Sequence, residues 1–463
     1  MKYPASNNSC SFTQDPTGSK DLTGGFFKEW GNCFNVTGSE VKNNVVSVTV
    51  FGAGREVGRS CFELRGSNTK ILLDYGVLVR EDRPLLPLST SPKDLNGIII
   101  THAHLDHSGS APYFYVSGTP PVYMTNMTKQ LSDILIRDLL HLSAYYIPFE
   151  ALELKTMLDS CQEITGKTEK IGEAQVDFYN AGHIPGSVSV NTQLEGKNIW
   201  YSGDINTIDT ALLKAAKLDL PDLDMAIMES TYATVDHPPR EENEIKLFDV
   251  ATEVVEGGGI ALIPAFSVGR SQEILCVLRK RGFKYDVSID GMARTATRLV
   301  SSRPEELRDA KLLDDAMAQA NWVSGERDRK KAMNRPGVII TSSGMLTGGA
   351  STRYMERVRN RVKDAVILVS YQIPGTPGRM LIDEGKYGPP GELRNVKCRV
   401  EWINFSSHCG SKQLMDLVKT FKGNPKILCV HGEAASCDAL AEAIKRETGH
   451  EAFAPGIGEV FKV

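Results

Sequence analysis

Residues 101–109 read THAHLDHSG, directly after the apolar run GIII at 97–100. With nine histidines in 463 residues, a six-residue window should hold about 0.1 by composition, and this one holds three. Residues two apart in an extended segment point the same way. His102 and His104 can therefore grip one metal ion, while Asp106 and His107, past a turn, face another. A purely structural zinc site would favour a closed, cysteine-rich set. The loop thus asks for a sheet-based fold that carries its chemistry at strand ends.

The surrounding texture agrees with that demand. Short apolar runs at 45–51, CFEL, ILLDYG (71–76) and GIIIT (97–101) look like buried strands. Leu131, Ile134, Leu135, Leu139 and Leu142 recur at helical spacing and predict a helix over 129–145 that packs one face. After Thr231 a second block begins. A helix through Ile245, Phe248 and Val255 is stopped by Gly257–Gly259, then come a strand IALIPA and a helix from about Val268 to Arg281. Further strands are expected at 287–290, 337–341, 365–371, 398–405 and 426–432. The turn GAGREVG lacks the GK[ST] ending of a phosphate loop, so it reads as a structural turn.

More candidate ligands follow short apolar runs, as loop residues should: His183 in AGHIPGS, Asp204 in YSGDI and His431 in CVHGE. Asp204 is suited to bridge two ions. His408 in FSSHCG shares the setting, whereas His141, His237 and His450 do not and read as ordinary surface or core residues. Cys409 neighbours His408, but adjacent side chains in a strand diverge, so it reads as packing.

Nine cysteines, an odd number with no CxxC pair, fit reduced thiols. No run of 18 uncharged apolar residues occurs, and the N-terminus MKYPASNNSCSF lacks an apolar signal region, so neither a membrane span nor secretion is expected and the chain should be cytoplasmic. The net charge of −4 hides an asymmetry: residues 270–400 hold 25 Lys+Arg against 15 Asp+Glu, a balance of +10. That segment is a candidate polyanion surface, with Arg353, Arg357, Arg359 and Arg361 a candidate stretch lining a cleft; a solvated helical face is the ordinary alternative. The first 44 residues, rich in Ser, Asn, Gly and Thr, read as an extension.

HAHLDH, with Asp74 upstream and His183 and Asp204 downstream, resembles the metallo-β-lactamase fold. Glu229 in MESTY, His408 in FSSH and His431 in VHGE look like three additional motifs of the β-CASP branch, whose members cut nucleic acids. PAFSVGRSQEIL (264–275), TSSGMLTGG (341–349) and GTPGRML (375–381) look like that branch too. The chain is most similar to archaeal ribonuclease J and the archaeal polyadenylation-factor-like nucleases, over about Val45 to the C-terminus. No KH domain is expected before the core and no further domain after it.

The resemblance implies an α/β fold, a metallo-β-lactamase αββα sandwich with an inserted β-CASP domain. The expected division is an extension (1–44), a sandwich portion (45–232), the insert (233–399) and a closing portion (400–463). It implies two Zn2+ per chain, with Mn2+ a possible substitute: one held by His102, His104 and His183, the other by Asp106, His107 and His431, with Asp204 between. Asp74 looks like a brace for the ligand loops, and Glu229 like a carboxylate orienting His408 or a ligand. His408 is implied to contact the scissile phosphate, as a general acid or as a phosphate clamp.

Ser267, Arg270, Ser342, Ser343, Gly344 and Ser407 sit in loops after apolar strands, where hydroxyls and backbone N–H groups can cradle a phosphate; ordinary turn chemistry explains Gly and Ser equally well. The expectation is a 5′→3′ exonuclease acting on single-stranded 5′-monophosphate RNA through a hydroxide activated by two metals. The alternative is an endoribonuclease of the polyadenylation-factor type. A small-molecule metallohydrolase or a non-catalytic RNA-binding scaffold stands further off. A homodimer is implied only by the resemblance.

Overall fold

The structure is a computed structural model that describes residues 45–79, 83–143, 146–389 and 391–463. The expected extension and positions 144–145 of the expected helix lie outside them. The first part of the chain forms β1 (Ser47–Val50), β2 (Phe62–Arg65), β3 (Lys70–Leu73), β4 (Gly97–Ile99), β5 (Val122–Met124), β6 (Cys161–Glu163), β7 (Thr168–Ile171), β8 (Ala174–Asn180), β9 (Val188–Leu194), β10 (Lys197–Tyr201) and β11 (Asp222–Glu229). The middle part forms β12 (Ile260–Pro264), β13 (Val287–Asp290), β14 (Asn321–Trp322), β15 (Gly337–Thr341), β16 (Ala365–Leu368), β17 (Lys386–Tyr387), β18 (Arg394–Asn395) and β19 (Arg399–Trp402). The chain closes with β20 (Lys422–Val430), β21 (Ala452–Phe453) and β22 (Val460–Lys462).

Two seven-stranded sheets, in the orders β22-β1-β2-β3-β4-β5-β6 and β21-β20-β11-β10-β9-β8-β7, pack face to face. Alternate residues of each sheet interdigitate between them: Val48, Phe62, Leu64, Ile71 and Leu73 meet Val176, Val190, Ile199, Tyr201, Ile227 and Leu428. The other face of the first sheet, through Leu72, Ile98 and Ile100, is covered by Ile136, Leu139, Leu154 and Met157 from two helices. The other face of the second, through Trp200, Met228 and Cys429, is covered by Leu414, Val418, Leu440 and Ile444. This is the αββα sandwich.

A third, six-stranded sheet in the order β14-β13-β15-β12-β16-β19 forms the body of the insert. Its pairings are all parallel, so the carboxyl ends of its strands share one edge, where an open α/β sheet offers its ligand crevice. The core on one face of this sheet includes Ala103, Met127, Leu131, Ile184 and Leu212 from the sandwich, which joins the two bodies around the histidine-bearing loops.

Two readings are corrected. The expected helix begins at Asn126 rather than 129, and its stripe turns along its length: Met127 and Leu131 enter the insert core, Ile136 and Leu139 lie under the first sheet, and Leu142 is 74% exposed. One helix serves two cores, so a single stripe could not describe it. The expected helix through Ile245, Phe248 and Val255 forms as Arg240–Glu256, ends at Gly257, and buries Leu247, Val250, Ala251, Val254 and Val255. The boundary at 400 falls inside β19, which pairs with β16 of the third sheet, so the chain is still in the insert there.

Candidate metal centre and active site

Every ligand candidate sits in a loop that leaves a buried strand. His102 and His104 follow β4, and Asp106 and His107 lie on the short helix Leu105–Ser108 that comes next. His183 lies between β8 and β9, Asp204 after β10 and His431 after β20. His102, His104, His183 and Asp204 each offer a donor atom within one 4.8 Å group, and Asp106, His107 and His431 form a second such group. Asp204 belongs to both surroundings. Its Oδ2 is 3.4 Å from His102 Nε2 and 3.5 Å from His183 Nε2, while its Oδ1 is 3.3 Å from His107 Nε2 and 3.3 Å from His431 Nδ1.

The ring orientations follow from what the other nitrogens do. Asp74 is fully buried and accepts from His107 Nδ1 at 2.7 Å, from Tyr201 O–H at 2.8 Å, and from the N–H and hydroxyl of Thr101 at 2.7 and 2.8 Å. With its proton on Nδ1, His107 turns a lone pair at Nε2 toward the Asp204 oxygen, which is buried and accepts no hydrogen bond. Two acceptors 3.3 Å apart require a proton or a cation between them. His183 Nδ1 donates to the Ser407 carbonyl at 2.8 Å, so its Nε2 also faces inward. These donors suit a metal ion.

Electrostatics agree. Burial makes the charged imidazoles of His102 and His183 unfavourable, and holds that of His104 down to about 3, so these three offer neutral lone pairs at neutral pH. Burial pushes the same way at His107, but the carboxylates of Asp204 and Asp74 outweigh it and raise its pKa, so a cation at Nε2 has to displace a proton shared with Asp204. Asp204 is buried too, yet the imidazoles of His431 and His107 keep it ionised.

His408 stands apart. Its Nδ1 pairs with Glu229 Oε2 at 2.7 Å, and Glu229 Oε1 accepts from Ile205 N–H at 2.7 Å. His408 Nε2 is therefore left facing the cleft, 3.9 Å from Asp204 Oδ2. Burial lowers its proton affinity, but Glu229 and Asp204 outweigh that and raise its pKa to about 9.

A cavity with about 40 Å³ of interior space opens beside these histidines, lined by Phe266, Arg270, Tyr232, Tyr371, Ser407 and His408 among others. Arg270 begins the helix Arg270–Lys280, is only 7% exposed, and leaves its Nε and Nη1 atoms buried without a hydrogen-bond partner. Burial and the nearby Arg240 guanidinium lower its pKa to about 9. Of the expected phosphate residues, Arg270 and Ser407 thus line this cavity, and Ser267 lies in the same loop between two lining residues, Phe266 and Val268.

Ser342, Ser343 and Gly344 do not line it. Gly344 packs on the backbone of Ala265 and Phe266, Ser342 abuts Gly291, and the Ser343 hydroxyl pairs with Thr347. Arg353, Arg357, Arg359 and Arg361 do not line it either: they engage Glu326, Asn334, Glu356 and Asp364, on or just beyond a helix that packs its buried residues in the separate core of Leu262, Ile339 and Val366. Charge counting could not tell a cleft from a solvated face, and here the arginines are spent on their own neighbours.

Sequence reasoning passed over Tyr201, which holds Asp74, and read as ordinary His237, whose Nε2 lies 3.1 Å from the His408 carbonyl oxygen. It also passed over the aromatic walls Tyr232, Tyr371 and Phe266. Tyr232 ends the quoted motif MESTY and Phe266 lies in PAFSVG, so a signal was present for those two; none marks Tyr371 or His237.

A sandwich of this topology with paired His/Asp groups at its strand ends, capped by a parallel-sheet insert, defines a metallo-hydrolase of the metallo-β-lactamase class. Residues 54–246 match the metallo-beta-lactamase superfamily, residues 271–381 the Beta-Casp domain, and residues 394–455 the Zn-dependent metallo-hydrolase RNA specificity domain. The chain is 40% identical over 428 residues to the RNase aCSPSF2 of Saccharolobus solfataricus, covering 92% of this chain and 87% of that one. It is 33% identical to the probable RNase MJ4 of Methanocaldococcus jannaschii (89% and 99% covered) and 34% identical to the transcription termination factor FttA of the same organism (89% and 70% covered). A crystal structure of a protein of unknown function from Enterococcus faecalis superposes with a TM-score of 0.57 at 13% identity, over 90% of this chain and all of that one, and shares the fold.

The chain belongs to the β-CASP metallo-β-lactamase RNA nucleases of the archaeal polyadenylation-factor type. It is a metal-dependent, RNA-binding ribonuclease. Among the described residues, no helix is long and apolar enough to cross a membrane.

Proposed function

We propose that this ribonuclease is a two-zinc 5′→3′ exonuclease on single-stranded RNA bearing a 5′-monophosphate. The observation that carries the reading is the unpartnered Arg270 guanidinium in a small cavity beside His104, His183 and His408. A buried, unpaired cation is costly, and a phosphate dianion is the partner that would relieve it. The cavity is small and walled by Phe266, Tyr232 and Tyr371, which suits a chain end better than a continuous strand.

His102, His104, His183 and Asp204 would hold one zinc, and Asp106, His107, His431 and the other Asp204 oxygen the second. When bound, two such cations polarise the attacking water and stabilise the charge of an in-line displacement. The chain's own residues do the rest. Asp74 and the Ser407 carbonyl take up Nδ1 of His107 and His183 and so aim Nε2 of each ring inward. Glu229 orients His408 and keeps it protonated, and His408 Nε2 gives that proton to the leaving 3′ oxygen. The apolar walls exclude bulk water. Products carry 5′-phosphate and 3′-hydroxyl ends, and a 2′-deoxy linkage at the cut still reacts. Each chain contains the whole donor set, so a homodimer would leave the mechanism intact. A cytoplasmic setting fits the seven free cysteines among the described residues.

Endonuclease action is the second reading, because the same donor set would serve it and a wider opening between insert and sandwich would admit an internal segment. The test compares linear 5′-monophosphate RNA with the same RNA circularised. Mononucleotides released only from the linear form support the exonuclease. Cutting of the circle at a comparable rate refutes it.

A further inference from the structure

The turn GAGREVGRS (52–60) between β1 and β2 has no place in the chemistry above, yet it touches both halves of the second ligand group. The Ala53 carbonyl accepts from His431 N–H at 2.9 Å, and Ser60 N–H donates to the Asp106 carbonyl at 2.7 Å. The Ser60 carbonyl in turn accepts from Gly76 N–H at 3.0 Å, beside the Asp74 turn. Asp106 and His107 come from the first sheet and His431 from the second, so this loop is a strap across the two sheets at the level of the site.

The strap is not a relaxed conformation. Ala53, Arg55 and Arg59, none of them glycine, have φ values of 55°, 60° and 41°, in the left-handed region that side chains disfavour. His431, on the receiving side, has φ 50°. Something outside the loop has to hold it. Arg55 grips Asp438 with two parallel bonds, Nη1 to Oδ1 and Nη2 to Oδ2, both 2.6 Å, and adds a bond to the Ala454 carbonyl at 3.2 Å. Asp438 lies on the helix Ala434–Thr448, which starts three residues after His431. The fork therefore ties the loop carrying Ala53 to the helix that follows His431. An exposed ion pair ordinarily contributes little, but this one is bidentate and bridges two elements whose spacing sets a ligand.

We propose that the Arg55–Asp438 pair is a positioning clasp for His431, and that it selectively sets the affinity of the second cation site; this rests on the two-cation reading above. His102, His104 and His183 are anchored elsewhere, by β4 and the Ser407 carbonyl, so the first site is independent of the clasp.

The test is a Zn2+ titration of the purified full chain against a competing chelator, which counts equivalents and ranks their affinities without any activity readout. Wild type takes up two equivalents. Arg55→Ala and Asp438→Ala each weaken the second equivalent about tenfold or more, the range for losing a group that orients a ligand, and leave the first unchanged. Both side chains are partly exposed (38% and 46%), so the variants fold, which their melting curves check. The double variant Arg55→Asp/Asp438→Arg recovers the second equivalent. His431→Ala, the reference for a lost ligand, takes up one. Two equivalents of wild-type affinity in both single variants overturn the clasp while leaving the two-cation reading intact. A wild-type chain that takes up only one equivalent overturns the two-cation reading itself, and the clasp with it.

Discussion

Asp74→Asn changes one atom and should disable half of the metal centre. The carboxylate receives four hydrogen bonds: Oδ1 takes Thr101 N–H, and Oδ2 takes the Thr101 hydroxyl, the Tyr201 hydroxyl and His107 Nδ1–H. An amide can satisfy this set in neither orientation. With its oxygen on Thr101 N–H, its two N–H donors face three groups that now donate. The hydroxyls can rotate to accept, but His107 can adapt only by moving its proton from Nδ1 to Nε2, the atom that faces Asp204. With the amide reversed, the buried Thr101 N–H is orphaned at about 1–3 kcal/mol.

Losing the charge-assisted bonds adds a similar amount, for a total on the order of 3 kcal/mol in stability. The wrong tautomer should weaken the cation at the His107 site by about 10–100-fold and leave the His102 site in place. Zinc titration counts the equivalents, and nitrogen chemical shifts of the His107 ring report which atom holds the proton. Two zinc equivalents of undiminished affinity, with Nδ1 still protonated, would refute the reasoning.

His408→Ala should lower kcat by roughly 10² or more with metal content unchanged; loss of one zinc equivalent would instead make His408 a ligand. Because Glu229, together with Asp204, raises His408 above its ordinary value, the acid is fully protonated below that raised pKa and lost as pH rises through it. In Glu229→Gln the alkaline limb of the kcat profile should therefore move to lower pH, and an unmoved limb counts against His408 as the proton donor. Arg270→Met should raise KM for 5′-monophosphate RNA tenfold or more over 5′-hydroxyl RNA, while the folded protein is no less stable, since a buried unpaired charge is removed; equal KM for the two ends would return Arg270 to a structural role. Charge reversal at Arg353, Arg357, Arg359 and Arg361 should leave the salt dependence of RNA binding nearly unchanged, because those arginines pair away from the cavity; a flattened slope would place RNA on that face.

Much of the site was legible in the sequence because metal chemistry demands unusual residues at short spacing. HAHLDH stands out against so few histidines, and strand-end placement drew His183, Asp204, His408 and His431 to the same list. The buried strands of sandwich and insert were legible for a related reason: sheets buried on both faces leave continuous apolar runs, and β3, β4 and β12 are such runs.

What the sequence could not contain is any relation set by packing between distant segments. The helix at 126–143 looked like one stripe because periodicity assumes a single partner, whereas two cores share it. The arginines of 353–361 looked like a nucleic-acid surface because composition counts charge without its neighbours. Arg270 drew notice only as a basic residue beside a glycine turn; that its guanidinium is buried, unpartnered and lines one cavity with His104, His183 and His408 required the insert to meet the sandwich. The strap at 52–60 read as an ordinary turn, since the residues that give it a purpose, His431 and Asp438, lie more than 370 positions away. Residue identity decides which atoms can hold a cation or a phosphate; only the tertiary structure decides which of them face one another, because that depends on contacts between segments that local pattern cannot register.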